Sequence, residues 1–310
     1  MSSNAAAASL SETDATAPMS AGVLERWWAS ARLALRMFAF VVGTLAFWAA
    51  MEIDLLVRRP ARRMDVINSW TPRWSAALLR VFGIRVEAHG PFADQQEVHP
   101  GRDERGVGRI FLMNHRSGAD IPIVLSLAKV HVISRHDVAG WPLIGAGGRR
   151  IGTLFVDRRS RRSGATVLTQ ISQSLEAGEG VAMFPEGTAY PGDEIREFKP
   201  GAFKAAVRSG AEIVPMGIAY SDPAACFVVG EPFLAHMKRV ASLRRVRVNV
   251  EIGKPIRVDG KSAVELQAEV RRQMESLIAK ARQRLTPRHS ERSEESGSSR
   301  ETPDPSLRSG

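Results

Sequence analysis

The stretch Arg109-Ile-Phe-Leu-Met-Asn-His-Arg-Ser-Gly-Ala-Asp120 decides the fold and holds the first candidate site residues. Its apolar run, residues 110–113, has the length and composition of a buried strand. A Ser-Gly turn leads to Asp120, which stands before a proline and a second apolar run, as is typical of a residue near a helix N-cap. We therefore expect a strand, a polar turn and a helix, with His115 at the strand exit and Asp120 at the helix entrance.

This pair of side chains suits general-base chemistry on an alcohol. The ordinary pKa of an imidazole lies near neutrality, so a neutral histidine can accept the proton of a hydroxyl group. A carboxylate facing the other ring nitrogen would fix the tautomer and stabilise the imidazolium formed in the transition state. The alternative is a partly exposed loop histidine beside a capping aspartate, and the spacing alone leaves both interpretations open.

Apolar strand-like runs alternate with amphipathic helical runs along most of the chain. This alternation predicts an α/β fold with a mainly parallel or mixed central sheet and helices on both of its faces. The predicted strands are 84–88, 110–113, 130–133, 152–158, 181–184, 213–220 and 246–252, and the predicted helices after residue 83 are 121–128, 166–177, 203–208 and 264–285.

Polar side chains follow several of these strands. His115, Arg135, Arg158 and Glu186 each stand at a strand exit. In open α/β sheets, ligands bind outside the carboxyl ends of the strands, so the coincidence favours the catalytic interpretation. The arginines around Arg158 are either a solvated basic face or a phosphate-binding cluster.

The N-terminal region differs in composition from the rest of the chain. We predict that residues 1–22 are a disordered leader. We predict that residues 23–82 form a helical hairpin that anchors the protein in or across a membrane leaflet. The uncharged run 37–51 is shorter than the ~20 residues of a full span, although Arg36 could snorkel and lengthen it. A pair of buried core helices is the alternative. Residues 286–310 predict a disordered tail.

Charge and cysteine content exclude some classes of function. The net charge of +10 favours anionic partners such as phospholipid headgroups. Nucleic acid is not an expected partner, because the aromatic residues cluster in the apolar N-terminal helices rather than among the arginines. The single cysteine, Cys226, excludes a disulfide framework and a cysteine-based zinc site. The glycines of 140–148, a turn-rich segment, do not fit a dinucleotide fingerprint.

Four blocks in order resemble those of the glycerophospholipid acyltransferase family, with bacterial 1-acyl-sn-glycerol-3-phosphate acyltransferases as the most similar branch. The blocks are Asn114-His115-x4-Asp120, Gly152-x5-Arg158, Phe184-Pro-Glu-Gly-Thr188 and Ile213-Val-Pro-Met-Gly217. The resemblance covers residues 85–257 and implies an acyltransferase domain over 83–285.

The resemblance also implies roles for single residues. His115 would be the general base that deprotonates a lysolipid hydroxyl, and Asp120 would orient it. Arg158 and Arg135 would contact the acceptor's phosphate, whereas Glu186, Gly187 and Thr188 would bind the rest of the acceptor. Acyl-CoA or acyl-carrier protein would be the donor, without a metal or bound cofactor. Backbone N–H groups of a preorganised turn are the expected donors to the tetrahedral intermediate.

One departure from the family pattern concerns the acceptor. Many relatives that form phosphatidic acid continue Glu-Gly-Thr with arginine and serine, whereas this chain has Ala189 and Tyr190. Arg159, Arg196 or Lys199 would have to replace that arginine. The leading expectation is acyl transfer to 1-acylglycerol-3-phosphate at the cytoplasmic face of the inner membrane. The alternatives are lyso-ornithine lipid or another lysolipid and, less favoured, a non-catalytic protein that binds anionic membranes.

Overall fold

The computed structural model describes residues 21–60, 63–93, 98–156 and 161–286. The predicted tail lies outside these ranges apart from its first residue, and so does the predicted leader apart from residues 21 and 22. Arg158 and Arg159 fall in the gap after residue 156.

The described residues form one seven-stranded mixed sheet. Its spatial order is β1-β7-β6-β2-β5-β3-β4, and every neighbouring pair is parallel except β6 and β7, which are antiparallel. The predicted mainly parallel or mixed sheet is confirmed. The strands are β1 (Ile84–His89), β2 (Ile110–Met113), β3 (Val130–Arg135), β4 (Leu154–Val156), β5 (Gly180–Met183), β6 (Ile213–Tyr220) and β7 (Val246–Ile252).

Helices cover both faces of this sheet, as predicted. Alternate residues of β2 point to opposite faces, with Phe111 packing in the core beside α2, α3 and α7 and Ile110 in the core beside α5, α6 and α8. The helices are α1 (Ala21–Arg58), α2 (Arg63–Val81), α3 (Asp120–Leu127), α4 (Ile144–Arg150), α5 (Arg161–Glu176), α6 (Gly201–Ser209), α7 (Phe233–Ser242) and α8 (Ala263–Leu285).

The segment predicted as turn-rich, 140–148, contains most of α4. The prediction was wrong for the helical part of this segment. Its three glycines lower the intrinsic helix propensity, but tertiary contacts stabilise the helix. One such contact is the ion pair between Arg150 and Glu52 of α1, with Nε and Oε1 2.6 Å apart.

Strand β2 is at the centre of the sheet, where all four of its residues are buried. Its exit is fixed by Asn114, whose buried amide group donates to the carbonyl of Ile218 at 3.0 Å and accepts the N–H of Ile218 at 2.8 Å. Since β2, β3, β5 and β6 are parallel, their carboxyl ends lie at one edge of the sheet. The residue after Asn114, His115, is therefore held at that edge.

Helices α1 and α2 pack against each other as an antiparallel pair. The indole N–H of Trp70 donates to Asp54 at 2.9 Å, and the indole N–H of Trp74 donates to Thr44 at 3.1 Å. Both of these indole groups thus form hydrogen bonds between the two helices. Trp27 and Trp28 remain exposed. Helix α2 also buries Ile67 and Leu79, so it contributes to the core of the domain.

Helix α1 presents a long apolar face to the outside. Its residues 26–58 are long and apolar enough, by length and composition, to cross a membrane. Leu35, Phe38, Val42 and Leu45 are among the exposed side chains of this face. The opposite face packs on the domain, and we treat membrane contact below as a proposal.

Two arginines of α1 fasten it to the C-terminal end of α7. Arg36 is 9% exposed, and its guanidinium donates to the carbonyls of Ala241 at 2.8 Å, of Arg244 at 3.0 Å and also of Leu243. Arg32 donates to the carbonyl of Ser242 at 2.9 Å. The last carbonyls of a helix lack intrahelical partners and carry partial negative charge, so guanidinium groups suit them. Arg36 therefore docks α1 rather than snorkelling along a bilayer.

We predict that Arg36→Gln destabilises the folded protein by about 1–3 kcal/mol, because buried carbonyls at the end of α7 lose a charged donor. Thermal unfolding of the purified protein in detergent measures the loss. Arg58→Gln on the same helix is the matched control, because Arg58 is exposed in an i,i+4 pair with Asp54 that is worth roughly 0.3–0.5 kcal/mol. Equal unfolding temperatures for the two variants would contradict the docking role.

Candidate active site

The site is built on the turn between β2 and α3. His115 and Asp120 meet there, with Nδ1 of the histidine 2.7 Å from Oδ2 of the aspartate. The carboxylate is fully buried, while the imidazole keeps 15% of its side-chain surface exposed. The ring stacks on Phe184 with the ring centres 4.1 Å apart. The predicted pairing at the strand exit and helix entrance is present in the structure.

Asp120 accepts hydrogen bonds from three further donors. Its Oδ2 accepts the N–H groups of Arg116 at 2.6 Å and Ser117 at 2.8 Å, and its Oδ1 accepts the hydroxyl of Tyr220 at 2.5 Å. Burial, together with the nearby Asp120 carboxylate, raises the pKa of Tyr220 well above its usual value, so the phenol stays neutral and donates. These bonds satisfy a charge that would otherwise be costly to bury. The carboxylate orientation toward His115 is therefore fixed.

A second turn, after β5, supports the first one. The carboxylate of Glu186 is buried and accepts the N–H of His115 at 3.2 Å. It also pairs with Arg116, whose Nη1 lies 2.9 Å from Oε1 and 3.1 Å from Oε2. Arg116 itself is 1% exposed and donates from Nη2 to the carbonyl of Glu194 at 2.7 Å. Glu186 thus positions the histidine turn, and acceptor binding by its side chain stays a prediction.

The amide groups of the histidine turn are all engaged inside the protein. Asp120 accepts two of them, and Glu186, His236 and the Ser117 hydroxyl accept one each. The N–H of Asp120 itself donates to the carbonyl of Ser117 at 3.2 Å. These amides build the site, so donors to a tetrahedral intermediate have to come from outside residues 115–120. The expectation that a preorganised turn supplies them does not apply to this turn.

The Glu-Gly-Thr turn lies directly beside His115. Gly187 has a φ of 77°, a left-handed conformation that favours glycine, and Thr188 is exposed. The N–H of Tyr190 donates to the carbonyl of His115 at 3.0 Å, which ties the end of this turn to the histidine. Gly187 and Thr188 therefore lie in a turn that is joined to His115, and their role in acceptor binding stays a prediction.

The position of the two arginines expected to bind phosphate, relative to His115, is known only in part. Arg135 ends β3, which is parallel to β5 and reaches the same edge of the sheet as His115. Arg158 lies outside the described residues. Their roles stay predictions.

Sequence reasoning missed three residues of the site. Tyr220 ends β6 at the same sheet edge. It could have been found by the rule that selected His115 and Glu186, namely that polar side chains at the carboxyl ends of strands are candidate site residues. Arg116 stands next to His115, but nothing local shows that it is buried against Glu186. His236 lies more than a hundred residues from the turn it contacts, and no pattern in the sequence signals it.

We predict that Tyr220→Phe lowers kcat by roughly tenfold, because Asp120 loses a hydrogen bond to a charged group worth about 1.5–3 kcal/mol. Asp120→Asn should cost more, roughly 10²–10⁴-fold, because the amide no longer stabilises the imidazolium. Steady-state acyl transfer measures both, and near-UV circular dichroism checks that the variants are folded. Wild-type kcat in Tyr220→Phe would contradict this prediction.

Comparisons with known proteins agree with the geometry. A family model described as acyltransferase matches residues 94–219. A lyso-ornithine lipid O-acyltransferase of Pseudomonas aeruginosa is 29% identical over 245 residues, covering 76% of this chain and 87% of that protein. A 1-acyl-sn-glycerol-3-phosphate acyltransferase of Neisseria gonorrhoeae is 29% identical over 126 residues, covering 41% of this chain and 49% of that protein.

A solved structure shows the same fold. The 1-acyl-sn-glycerophosphate acyltransferase of Thermotoga maritima superposes with a TM-score of 0.66 at 17% identity, over 83% of this chain and 98% of that one. The resemblance read from the four sequence blocks is thereby confirmed. With its histidine and aspartate paired at the sheet edge, this chain is an enzyme that contains an acyltransferase domain and is similar to the glycerophospholipid acyltransferases.

Proposed function

We propose that the enzyme transfers an acyl group from acyl-CoA or acyl-carrier protein to the free hydroxyl of a membrane lysolipid. The 2.7 Å contact between His115 Nδ1 and Asp120 carries this proposal. The carboxylate accepts the Nδ1 proton, which leaves Nε2 as the basic nitrogen, and the ring is partly exposed. Nε2 takes the acceptor's hydroxyl proton as that oxygen bonds to the thioester carbon. Collapse of the tetrahedral intermediate breaks the C–S bond, and the thiolate leaves with the proton from His115.

The acceptor that we favour is lyso-ornithine lipid. The lyso-ornithine lipid O-acyltransferase of Pseudomonas aeruginosa aligns over most of both chains. Ala189 stands where many phosphatidic-acid-forming relatives carry arginine, so this turn offers less positive charge. A headgroup carboxylate with one negative charge needs less compensation than a phosphate monoester, which carries nearly two. This difference supports the ornithine headgroup.

Two exposed cationic side chains near the turn suit the anionic group of either headgroup, the carboxylate of ornithine or the phosphate of 1-acylglycerol-3-phosphate. The guanidinium of Arg196 lies over the ring of Tyr190, 5.4 Å from its centre. The aliphatic part of Lys199 packs beside Gly187. Among the described residues, neither side chain forms an ion pair with a carboxylate. Because Arg196 and Lys199 could contact a phosphate, 1-acylglycerol-3-phosphate is the second candidate acceptor.

Membrane contact through α1 completes the proposal. The exposed apolar face of α1 suits the acyl region of a bilayer, and Trp27 and Trp28 at one end suit its interface. Arg58, Arg59 and Arg63 stand at the other end, where they suit anionic headgroups. The thioester donors are made in the cytoplasm, so we place the enzyme at the cytoplasmic face of the inner membrane.

Acyl transfer from labelled oleoyl-CoA tests the reaction and the acceptor. Lyso-ornithine lipid, lysophosphatidic acid and lysophosphatidylcholine are compared as acceptors, and a carrier-protein donor is included. We expect lyso-ornithine lipid to give the highest kcat/KM, and His115→Ala to lower kcat by roughly 10²–10⁴-fold. A preference for lysophosphatidic acid would select the second candidate. Retained transfer by His115→Ala would refute the mechanism.

Replacing the outer face of α1 tests the membrane assignment. Leu35, Phe38, Val42 and Leu45 changed together to Gln should move the protein from the membrane pellet toward the soluble fraction, while the docking arginines stay intact. The control changes exposed Val207 and Val264 on α6 and α8 to Gln. Deletion of residues 1–82 is a poorer test, because it would remove core residues of α2. Unchanged sedimentation of the α1 variant would refute the anchor.

A further inference from the structure

Helix α7 packs directly on the histidine turn, residues 115–120, which is called the catalytic turn from here on. A Cβ atom added to Gly118 would lie 2.5 Å from Sδ of Met237 and 3.1 Å from the ring of Phe233. Glycine at this position therefore lets Met237 and Phe233 of the helix pack against the turn without a shift of their side chains. The matched acyltransferase region ends at residue 219, before α7 begins. The helix thus adds contacts to the turn from outside that region.

One buried side chain of α7 hydrogen-bonds to the turn. His236 has no exposed surface, and its Nε2 accepts the N–H of Gly118 at 3.0 Å. The same Nε2 lies 3.1 Å from the hydroxyl oxygen of Ser117. That oxygen accepts the N–H of Ala119 at 3.2 Å, and its proton can be donated to Nε2 of His236, which accepts the N–H of Gly118 and so carries no proton of its own. Two neighbouring groups of the catalytic turn thus share a single acceptor.

These contacts define the tautomer of His236. A backbone N–H can only donate, so Nε2 carries no proton and the ring proton is on Nδ1. Nδ1 lies 3.6 Å from Oε2 of Glu231 and 3.2 Å from Nη2 of Arg239, which itself pairs with that carboxylate at 2.6 Å. Burial, reinforced by the Arg239 guanidinium, lowers the pKa of His236 to about 4, which keeps the imidazole neutral at pH 7. His236 is therefore a fixed acceptor under the conditions in which the enzyme works.

The segment before α7 contacts the turn from a second side. The ring of Phe227 stacks on the imidazole of His236 with centres 3.9 Å apart, and the N–H of Phe227 donates to the carbonyl of Arg116 at 2.8 Å. Arg116 and Ser117 are the residues whose amides hold Asp120. Phe227 and His236 therefore both form hydrogen bonds with the four residues that separate His115 from Asp120.

We propose that His236 is a positioning residue for acyl transfer, which fixes the Ser117–Gly118 turn so that Asp120 stays aligned with Nδ1 of His115. The proposal rests on the function proposed above. Without an acceptor at position 236, the hydroxyl of Ser117 and the N–H of Gly118 have to find other partners. The turn then shifts, and with it the Ser117 amide that binds Asp120 Oδ2. His236 does not touch the reacting atoms.

The test compares His236→Leu with His236→Gln in the full-length enzyme. Leucine removes the acceptor, whereas the amide oxygen of glutamine reaches the position of Nε2. We expect His236→Leu to lower kcat by about tenfold or more, with KM for donor and acceptor within about twofold of wild type, and His236→Gln to recover most of the loss. Wild-type kcat in His236→Leu, or no recovery by glutamine in a folded protein, would overturn the proposal.

His99→Leu is the matched control for a purely structural effect. His99 is also buried, burial likewise lowers its pKa to about 4, and it stacks on Phe92 instead of on the catalytic turn. We expect His99→Leu to lower the unfolding temperature but to leave kcat within about twofold when it is assayed below that temperature. An equal fall in kcat in both leucine variants would show a general loss of structure and refute positioning.

A spectroscopic measurement tests positioning independently of activity. The proton between His115 Nδ1 and the buried Asp120 carboxylate should give a far-downfield proton NMR signal that is absent in His115→Ala. We expect this signal to be shifted or broadened in His236→Leu and preserved in His236→Gln and His99→Leu. An unchanged signal in His236→Leu refutes positioning. If wild type transfers acyl groups to no tested acceptor, the proposed function fails, and the NMR result still decides the role of His236.

Discussion

The buried carboxylate of Asp120 is the constraint on which the rest of the site depends. A charge without solvent is tolerated only when hydrogen bonds surround it, and here the donors come from separate parts of the chain. Two are backbone amides of the turn after β2, one is the hydroxyl of Tyr220 at the end of β6, and one is His115. Because each donor is fixed by the sheet, Asp120 can hold the imidazole in a single orientation.

The buried pair of Arg116 and Glu186 extends this order to the neighbouring turn. A buried ion pair gives little net stability, since desolvation offsets most of the attraction, but removing one partner leaves an expensive charge. Here the pair joins the turn after β2 to the turn after β5. The histidine and the Glu-Gly-Thr turn are therefore held as one rigid unit, which suits a reaction that requires an oriented base.

Helix α1 combines two opposite surfaces. Its inner face has arginines that satisfy the end of α7, while its outer face is almost entirely apolar. Helix α7 in turn contacts the catalytic turn through His236. The apolar outer surface of α1 is thereby connected to the site by two helices with defined hydrogen bonds. In the function we propose, the active site keeps a fixed position relative to the bilayer that supplies its lipid substrate.

The sequence by itself determined the strands with strong apolar patterns, the alternation of helices with strands, and the placement of His115 and Asp120 at the two ends of one turn, because these follow from local periodicity and from short spacing. Strands β6 and β7 have the predicted bounds. Only the tertiary structure decided the antiparallel direction of β7, the burial of Arg116 and the contacts of Tyr220 and His236. It also placed Arg36 against backbone carbonyls of the protein, whereas the sequence suggested that this side chain could snorkel along a bilayer. These outcomes depend on which distant groups meet in the folded chain, and periodicity within one segment contains no information about a partner far along the sequence.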